Sequence, residues 1–120
     1  MQAEAAKYLW DALQAVGRVQ RFSQGKSFDD YLADELLRSA VERQLGIVGE
    51  ALAQLRKRCP AIAGKVPDLA RVVGFRNVLI HAYAAVDDMI VWGVVQGLMG
   101  NLQRDLEALL QEQAHPGEPR

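Results

Sequence analysis

Four side chains that can act on a phosphate group lie within eight residues in the middle of the chain, at Arg76, Asn77, His81 and Tyr83. An arginine stays charged and offers a planar fork of donors that matches phosphate oxygens. An imidazole can accept and return a proton near neutral pH. On an arbitrary helix, such residues more often have a structural role than a chemical one. His81 would then be half-buried with its hydrogen bonds made, Arg76 would form a surface ion pair, and Tyr83 would lie at the edge of a core.

The spacing of these residues limits how they can meet on a helix. Arg76 and His81 are five residues apart and point about 140° away from each other, whereas Arg76 and Tyr83 are separated by only about 20°. Asn77 lies one turn before His81, on nearly the same face, where its amide can orient the imidazole or contact a ligand. Arg76 and His81 therefore converge only if the helix bends or ends near Ala82, or if a two-fold dimer brings two copies to one cleft. The dimer is the simpler solution, and we expect it.

The rest of the sequence has the pattern of a helical bundle that would hold this segment. Apolar residues recur at three- and four-residue spacings, and no stretch alternates as a strand does. Four main helices with short connections predict an all-α, antiparallel four-to-five-helix bundle. The predicted helices cover residues 3–22, 29–58, 68–83 and 87–113, with a turn at residues 61–66.

Local signals mark the predicted helix ends. Ser27 and Asp30 resemble a capping box, with Asp in place of the usual Glu, and would begin the second helix. The Cys-Pro pair at 59–60 ends that helix, because the residue before a proline disfavours helical backbone. Pro67 suits the first turn of the third helix, and the aspartates at 87–88 can cap the last one.

The length of 120 residues predicts one domain, which we place at residues 1–113, followed by a disordered tail at residues 114–120. Cys59 is the single cysteine and can form no internal disulfide. The first residues lack the basic and apolar regions of a targeting signal, and the most apolar stretch, residues 89–99, is too short to span a bilayer. We therefore expect a cytoplasmic protein with no membrane partner.

Charge and motif spacing narrow the function classes further. The net charge is −1, but residues 61–83 carry an excess of cations and residues 84–120 an excess of acids, so a polyanion should meet the middle of the chain. The sequence QGKS at 24–27 resembles the end of a phosphate-binding loop but lacks the preceding glycine and strand, which favours a plain helix–helix loop. No His, Cys, Asp or Glu spacing is typical of a metal site, and we expect neither a metal nor a cofactor.

The segment RNVLIHAY, with Arg76-x4-His81-x-Tyr83, resembles the R-x4-H-x-Y motif of HepT-type toxins in the HEPN superfamily. Three further blocks resemble other segments of that family in the same order, so the resemblance covers residues 7–110. One departure is Ala82, where many relatives have glycine, and it removes no chemical group. The blocks are YLWDALQAVGRVQRF, ELLRSAVERQLGIVGEAL and AAVDDMIVWGVV.

This resemblance implies a HEPN-like homodimer that acts as a metal-independent endoribonuclease toxin, with RNA, and tRNA as a candidate, as its substrate. It implies that Arg76 and His81 are catalytic, and the position of Asn77 one turn before His81 lets it support them or contact RNA. It also implies a nucleotidyltransferase-fold antitoxin that transfers AMP to Tyr83. RNA carries its own nucleophile, the 2′-hydroxyl, so cleavage needs only proton transfer and stabilisation of a phosphorane.

Two other functions remain open at this point. One is a non-catalytic dimeric module in which Arg76 and His81 bind a nucleotide, or which docks and regulates a nucleotidyltransferase. The other is a structural bundle without a ligand. The role of Glu50 is open as well: it interrupts a largely apolar run and either pairs with an arginine near the site or faces solvent.

Overall fold

The computed structural model describes residues 3–81 and 87–114 and consists, over those residues, of six helices without a strand. Four helices are long and two are short, which confirms an all-α chain built on four main helices. The predicted disordered tail lies, apart from its first residue, outside the described residues. The helices are α1 (Ala3–Ser23), α2 (Phe28–Ala33), α3 (Glu35–Arg58), α4 (Pro60–Ala63), α5 (Leu69–His81) and α6 (Asp88–Ala114).

The long helices α1, α3 and α6 build the core. An ion pair joins Glu4, near the start of α1, to Arg58, at the end of α3, at 3.1 Å. Arg18, late in α1, donates a hydrogen bond to Gln44, in the first half of α3. The two helices therefore run antiparallel, and α6 packs on α1 beside them. Fully buried members of this core include Leu9, Val16, Val19, Val41, Leu45, Val48, Leu52, Leu55, Met99, Leu102 and Leu106.

The region predicted as one helix over residues 29–58 is broken at Asp34, and this part of the prediction is wrong. Asp34 has extended backbone angles (φ −116°, ψ 97°), ends α2 and begins α3. Its carboxylate accepts a hydrogen bond of 3.0 Å from the amide of Leu37. An aspartate is a favoured N-cap, so it stabilises a new helix start inside a sequence with unbroken helical periodicity.

The short helix α2 is stabilised by a capping box at its start and by a buried tyrosine. The capping box predicted for Ser27 and Asp30 is present, because each side chain accepts a hydrogen bond from the other residue's backbone amide. Tyr31 is fully buried, and its ring lies 5.0 Å from that of Trp92 on α6. Burial, with a smaller contribution from Glu42, raises the pKa of the Tyr31 phenol. Tyr31 is thus a neutral core side chain that anchors α2 to α6.

Helix α5 follows a turn that contains the short helix α4, and it packs chiefly against α3. Its first half contributes Leu69, Val72 and Val73 to the core, whereas no residue from position 74 to 81 is buried. Val78 is 53% and Ile80 48% exposed. Of the predicted site residues in this half of α5, Asn77 and His81 are exposed, whereas Arg76 is partly covered. None of the described helices is both long and apolar enough to cross a membrane.

Candidate active site

Arg76 is held in a fixed position between α3 and α5. Its Nη2 group is ion-paired with the carboxylate of Glu50 on α3, and its Nη1 group donates a hydrogen bond of 3.1 Å to Oδ1 of Asn77. The Arg76 side chain is only 25% exposed. Because a guanidinium has five N–H donors, both contacts can form while others remain available to an incoming anion. The structure resolves the role of Glu50: it pairs with the arginine of the predicted site.

Gly49 explains why Arg76 can lie so close to α3. It is buried, and a Cβ atom placed on it would overlap the Cβ of Arg76 and lie 2.8 Å from its Cγ. The missing side chain therefore lets the stem of Arg76 cross directly over the α3 backbone. This close approach brings the guanidinium to Glu50, the next residue along α3.

His81 is the last described residue of α5 and is exposed to solvent. The helix is continuous from Leu69 to His81. On such a helix the two side chains point about 140° apart. One chain thus brings together Arg76, Asn77 and Glu50, and does not bring His81 into that group. Tyr83, the predicted modification site, and Ala82 lie outside the described residues.

A groove of about 630 Å³ opens between α1 and α3, and Arg76 and Ile80 of α5 line one side of it. We call it the α1–α3 groove. Its cations are Lys7, Arg18, Arg43 and Arg76, and its acids are Asp11 and Glu50. The remaining lining residues are Tyr8, Trp10, Gln14, Gly46, Ile47, Ala51, Gln54 and Ile80.

The two acids of the groove are both engaged by cations. Asp11 pairs with Lys7 at 2.8 Å, and their hydrogen bond raises the pKa of the Lys7 ammonium. Glu50 pairs with Arg76. Arg18 and Arg43 form no ion pair within residues 3–81 and 87–114, and Arg18 donates a hydrogen bond to Gln44. With four cations against two acids, the groove has a net positive charge.

Sequence reasoning missed this groove. It placed the positive region at residues 61–83, whereas three of the four groove cations come from α1 and α3. One signal was present: Trp10 falls outside the apolar stripe of α1, and it is 54% exposed. Tryptophan is enriched at interfaces, because it combines a large apolar ring with a polar N–H group. Within the described ranges, no three His, Cys, Asp or Glu side chains gather as potential metal ligands.

Comparison with known proteins places the chain in a family. The family model described as HepT-like ribonuclease matches residues 12–109. The chain is 31% identical to a protein of Thermococcus cleftensis named as a candidate ribonuclease HepT, over 91% of this chain and 98% of that protein. It is 32% identical to a candidate RNase of Caldanaerobacter subterraneus, over 88% of this chain and 94% of the relative. A candidate RNase of Methanocaldococcus jannaschii is 28% identical, over 83% of this chain and 91% of its own. No solved structure gives a significant match.

Proposed function

The chain belongs to the HepT-like ribonuclease family, and on that premise we propose that it is an endoribonuclease in which Arg76 and His81 carry out the reaction. The observation that carries the proposal is the fixed guanidinium of Arg76, which lies in a cationic groove five residues before an exposed imidazole on the same helix. The exposed His81 is not explained by a packing role.

The reaction that suits these groups is internal transesterification of RNA. The 2′-oxygen attacks the adjacent phosphorus, a base removes the 2′-proton, and an acid protonates the departing 5′-oxygen. The products are a 2′,3′-cyclic phosphate and a 5′-hydroxyl. In this scheme His81 transfers protons, and Arg76 donates hydrogen bonds to the phosphorane oxygens as charge develops on them. No step requires a metal ion.

A two-fold homodimer supports this scheme, because one chain does not converge Arg76 and His81. Val78, in the second half of α5, is half-exposed and lies one turn before His81, which the reaction needs. If two copies of α5 meet, they supply two imidazoles to one cleft, one for the base and one for the acid. The dimer would thus bring an arginine and a histidine together and would supply both a base and an acid.

The motif resemblance supports a biological setting for this activity. We place the protein as the toxin of a toxin–antitoxin pair, cytoplasmic, with tRNA as a candidate substrate and a nucleotidyltransferase-fold protein as its antitoxin. Transfer of AMP to Tyr83 would add a bulky anion two residues from His81 and repel RNA.

Incubation of purified protein with total RNA, with and without EDTA, tests the proposed activity. We expect cleavage that EDTA does not abolish, cyclic phosphate ends, and loss of cleavage in His81→Ala and Arg76→Ala with unchanged helical circular dichroism. Cleavage retained within a few-fold by either folded variant would remove that residue from the mechanism. Intact RNA with the wild-type protein would instead favour the non-catalytic module that binds a nucleotide or regulates a nucleotidyltransferase.

A further inference from the structure

We infer that the α1–α3 groove is the path by which a single strand of RNA reaches Arg76, with Trp10 stacking on an unpaired base and Arg18 and Arg43 contacting a more distant phosphate. The inference rests on the proposed ribonuclease function, since it assigns a substrate path to that site. It adds residues on α1 and α3 that lie outside the Arg76–Tyr83 segment.

The antiparallel register of α1 and α3 orders the groove residues along one line. The contacts Glu4–Arg58 and Arg18–Gln44 place Trp10 about level with Leu52. Arg76 binds Glu50, which lies two residues from Leu52 on α3. Measured along the helix axis, its guanidinium therefore enters the groove within about 3 Å of the level of Trp10. Trp10 and Arg76 therefore occupy one end of the groove.

Arg18 and Arg43, which form no ion pair among the described residues, occupy the other end. Arg43 precedes Glu50 by seven residues on α3, a rise of about 10 Å, and Arg18 lies at nearly the same level on α1. With Arg76 paired to Glu50 and Arg43 about 10 Å away along the helix axis, the two guanidinium groups can contact successive phosphates of one strand. A polyanion that extends along the groove fits this spacing better than a single small anion does.

The groove also has the chemistry of a single-stranded nucleic acid site. Such sites combine a cationic channel for the backbone with aromatic rings on which bases stack. Here the ring is Trp10, 54% exposed, and the amides of Gln14 and Gln54 offer donors and acceptors to base edges. A volume of about 630 Å³ lies within the usual range of ligand sites, about 300–1,000 Å³. Stacking on Trp10 requires an unpaired base, which favours a single strand over a duplex.

Fluorescence anisotropy with a labelled 2′-O-methyl oligonucleotide tests the path separately from catalysis, because that strand has no 2′-hydroxyl to attack. We expect Trp10→Ala to weaken binding by at least about fivefold and Trp10→Phe to retain most of it. Arg43→Ala should weaken binding and reduce the slope of log K against log salt by about 0.7. The matched control is Arg56→Ala, an exposed arginine on the same helix outside the groove, which should leave the slope unchanged.

The two proposals fail in distinguishable ways. If Trp10→Ala and Arg43→Ala bind the oligonucleotide as the wild type does, the groove is not the path, and RNA cleavage by the same preparations would leave the proposed function intact. If the wild type binds the oligonucleotide through Trp10 and Arg43 but never cleaves RNA, the groove is a binding site for a single strand and the proposed ribonuclease function is wrong. If sedimentation shows that Trp10→Ala dissociates a dimer while Arg43→Ala binds normally, the groove is an interface between copies, and the inference is overturned. Arg43 is exposed, so its variant keeps the test valid should Trp10→Ala fail to fold.

Discussion

The guanidinium of Arg76 on α5 is ion-paired with the carboxylate of Glu50 on α3, 26 residues earlier in the chain. The Glu50 side chain is 50% exposed, so the pair is screened by water and contributes at most about 1 kcal/mol to folding. Its consequence is geometric. Together with the close packing of the Arg76 stem on Gly49, it favours one position of a long side chain, in which the guanidinium lines the α1–α3 groove.

Glu50→Ala should therefore impair cleavage far more than stability. We expect RNA cleavage to fall between about tenfold and a hundredfold, because Arg76 loses its orientation. The free energy of unfolding in urea should change by less than about 1 kcal/mol. Glu50→Gln, which can still accept a hydrogen bond, should recover part of the rate. Glu107→Ala, which removes an exposed acid from α6, is the control and should leave the rate unchanged. A Glu50→Ala protein as active as the wild type would show that the pair is only a surface contact.

The absence of a side chain at Gly49 should be equally important for the site. Gly49→Ala places a methyl group where the stem of Arg76 lies, so α5 must move away from α3. We expect a loss of about 1–3 kcal/mol of stability and a large loss of cleavage. The matched control is Gly97→Ala on α6, where a Cβ meets nothing within 4 Å. It should stabilise the helix by up to about 1 kcal/mol. Equal stability of the two variants in urea would contradict the close approach.

These two contacts show what the sequence could and could not predict about the site. The helix that carries Arg76, Asn77 and His81 was predictable, because it depends on residues close together in the chain. The partner of Arg76 was not, since Glu50 fits an ion pair and a solvent-facing position equally well until α3 and α5 are packed together. The groove depends on the register of α1 against α3, which no pattern within one helix reveals.

In the fold, too, some features were predictable from the sequence and others were not. Periodicity predicted four long helices, because an apolar stripe reflects burial over many turns. It did not predict the break at Asp34, since the stripe continues through it and one side-chain hydrogen bond to the Leu37 amide decides the local backbone. The Ser27–Asp30 capping box was predictable, because it depends only on two residues three apart.

The capping box leads to a pH prediction. The hydrogen bond that its carboxylate accepts from the Ser27 backbone amide, with a smaller contribution from the Ser27 side chain, lowers the pKa of Asp30 below its ordinary value of 3.8. Since the folded value is the lower one, the carboxylate contributes its full stabilisation above about pH 4. That contribution is lost as the pH falls through the folded value. Asp30→Asn should therefore be less stable than wild type at pH 7, with the difference shrinking below pH 4. Asp29→Asn removes the neighbouring charge but no hydrogen bond to Ser27, and it should not show this dependence in thermal melts.

The proposed dimer should depend on the exposed half of α5. Val78→Asp places a charge on an apolar side chain that is 53% exposed, next to the site residues. If α5 lines the cleft between subunits, burial of this carboxylate is costly, and the variant should sediment as a monomer with little cleavage. Leu36→Asp, at an 80% exposed position on α3, is the control and should remain dimeric. A wild-type protein that is monomeric at micromolar concentration and fully active would refute the dimer.

Tyr83 should be the point at which the proposed antitoxin controls the activity. Of the three tyrosines, Tyr31 is fully buried and therefore closed to a modifying enzyme, and Tyr8 is half-buried in the α1–α3 groove. Tyr83 follows His81 by two residues, so each added AMP would bring phosphate charge and bulk to the reaction centre and exclude RNA by repulsion. Tyr83→Phe should keep the fold and much of the cleavage but escape neutralisation by a nucleotidyltransferase partner supplied with ATP. Mass spectrometry of the co-expressed pair should find adenylyl groups on Tyr83 and none on Tyr31 or Tyr8. Activity silenced by the partner without any adduct on Tyr83 would refute control by modification, and would leave the ribonuclease proposal to be judged by the cleavage assays.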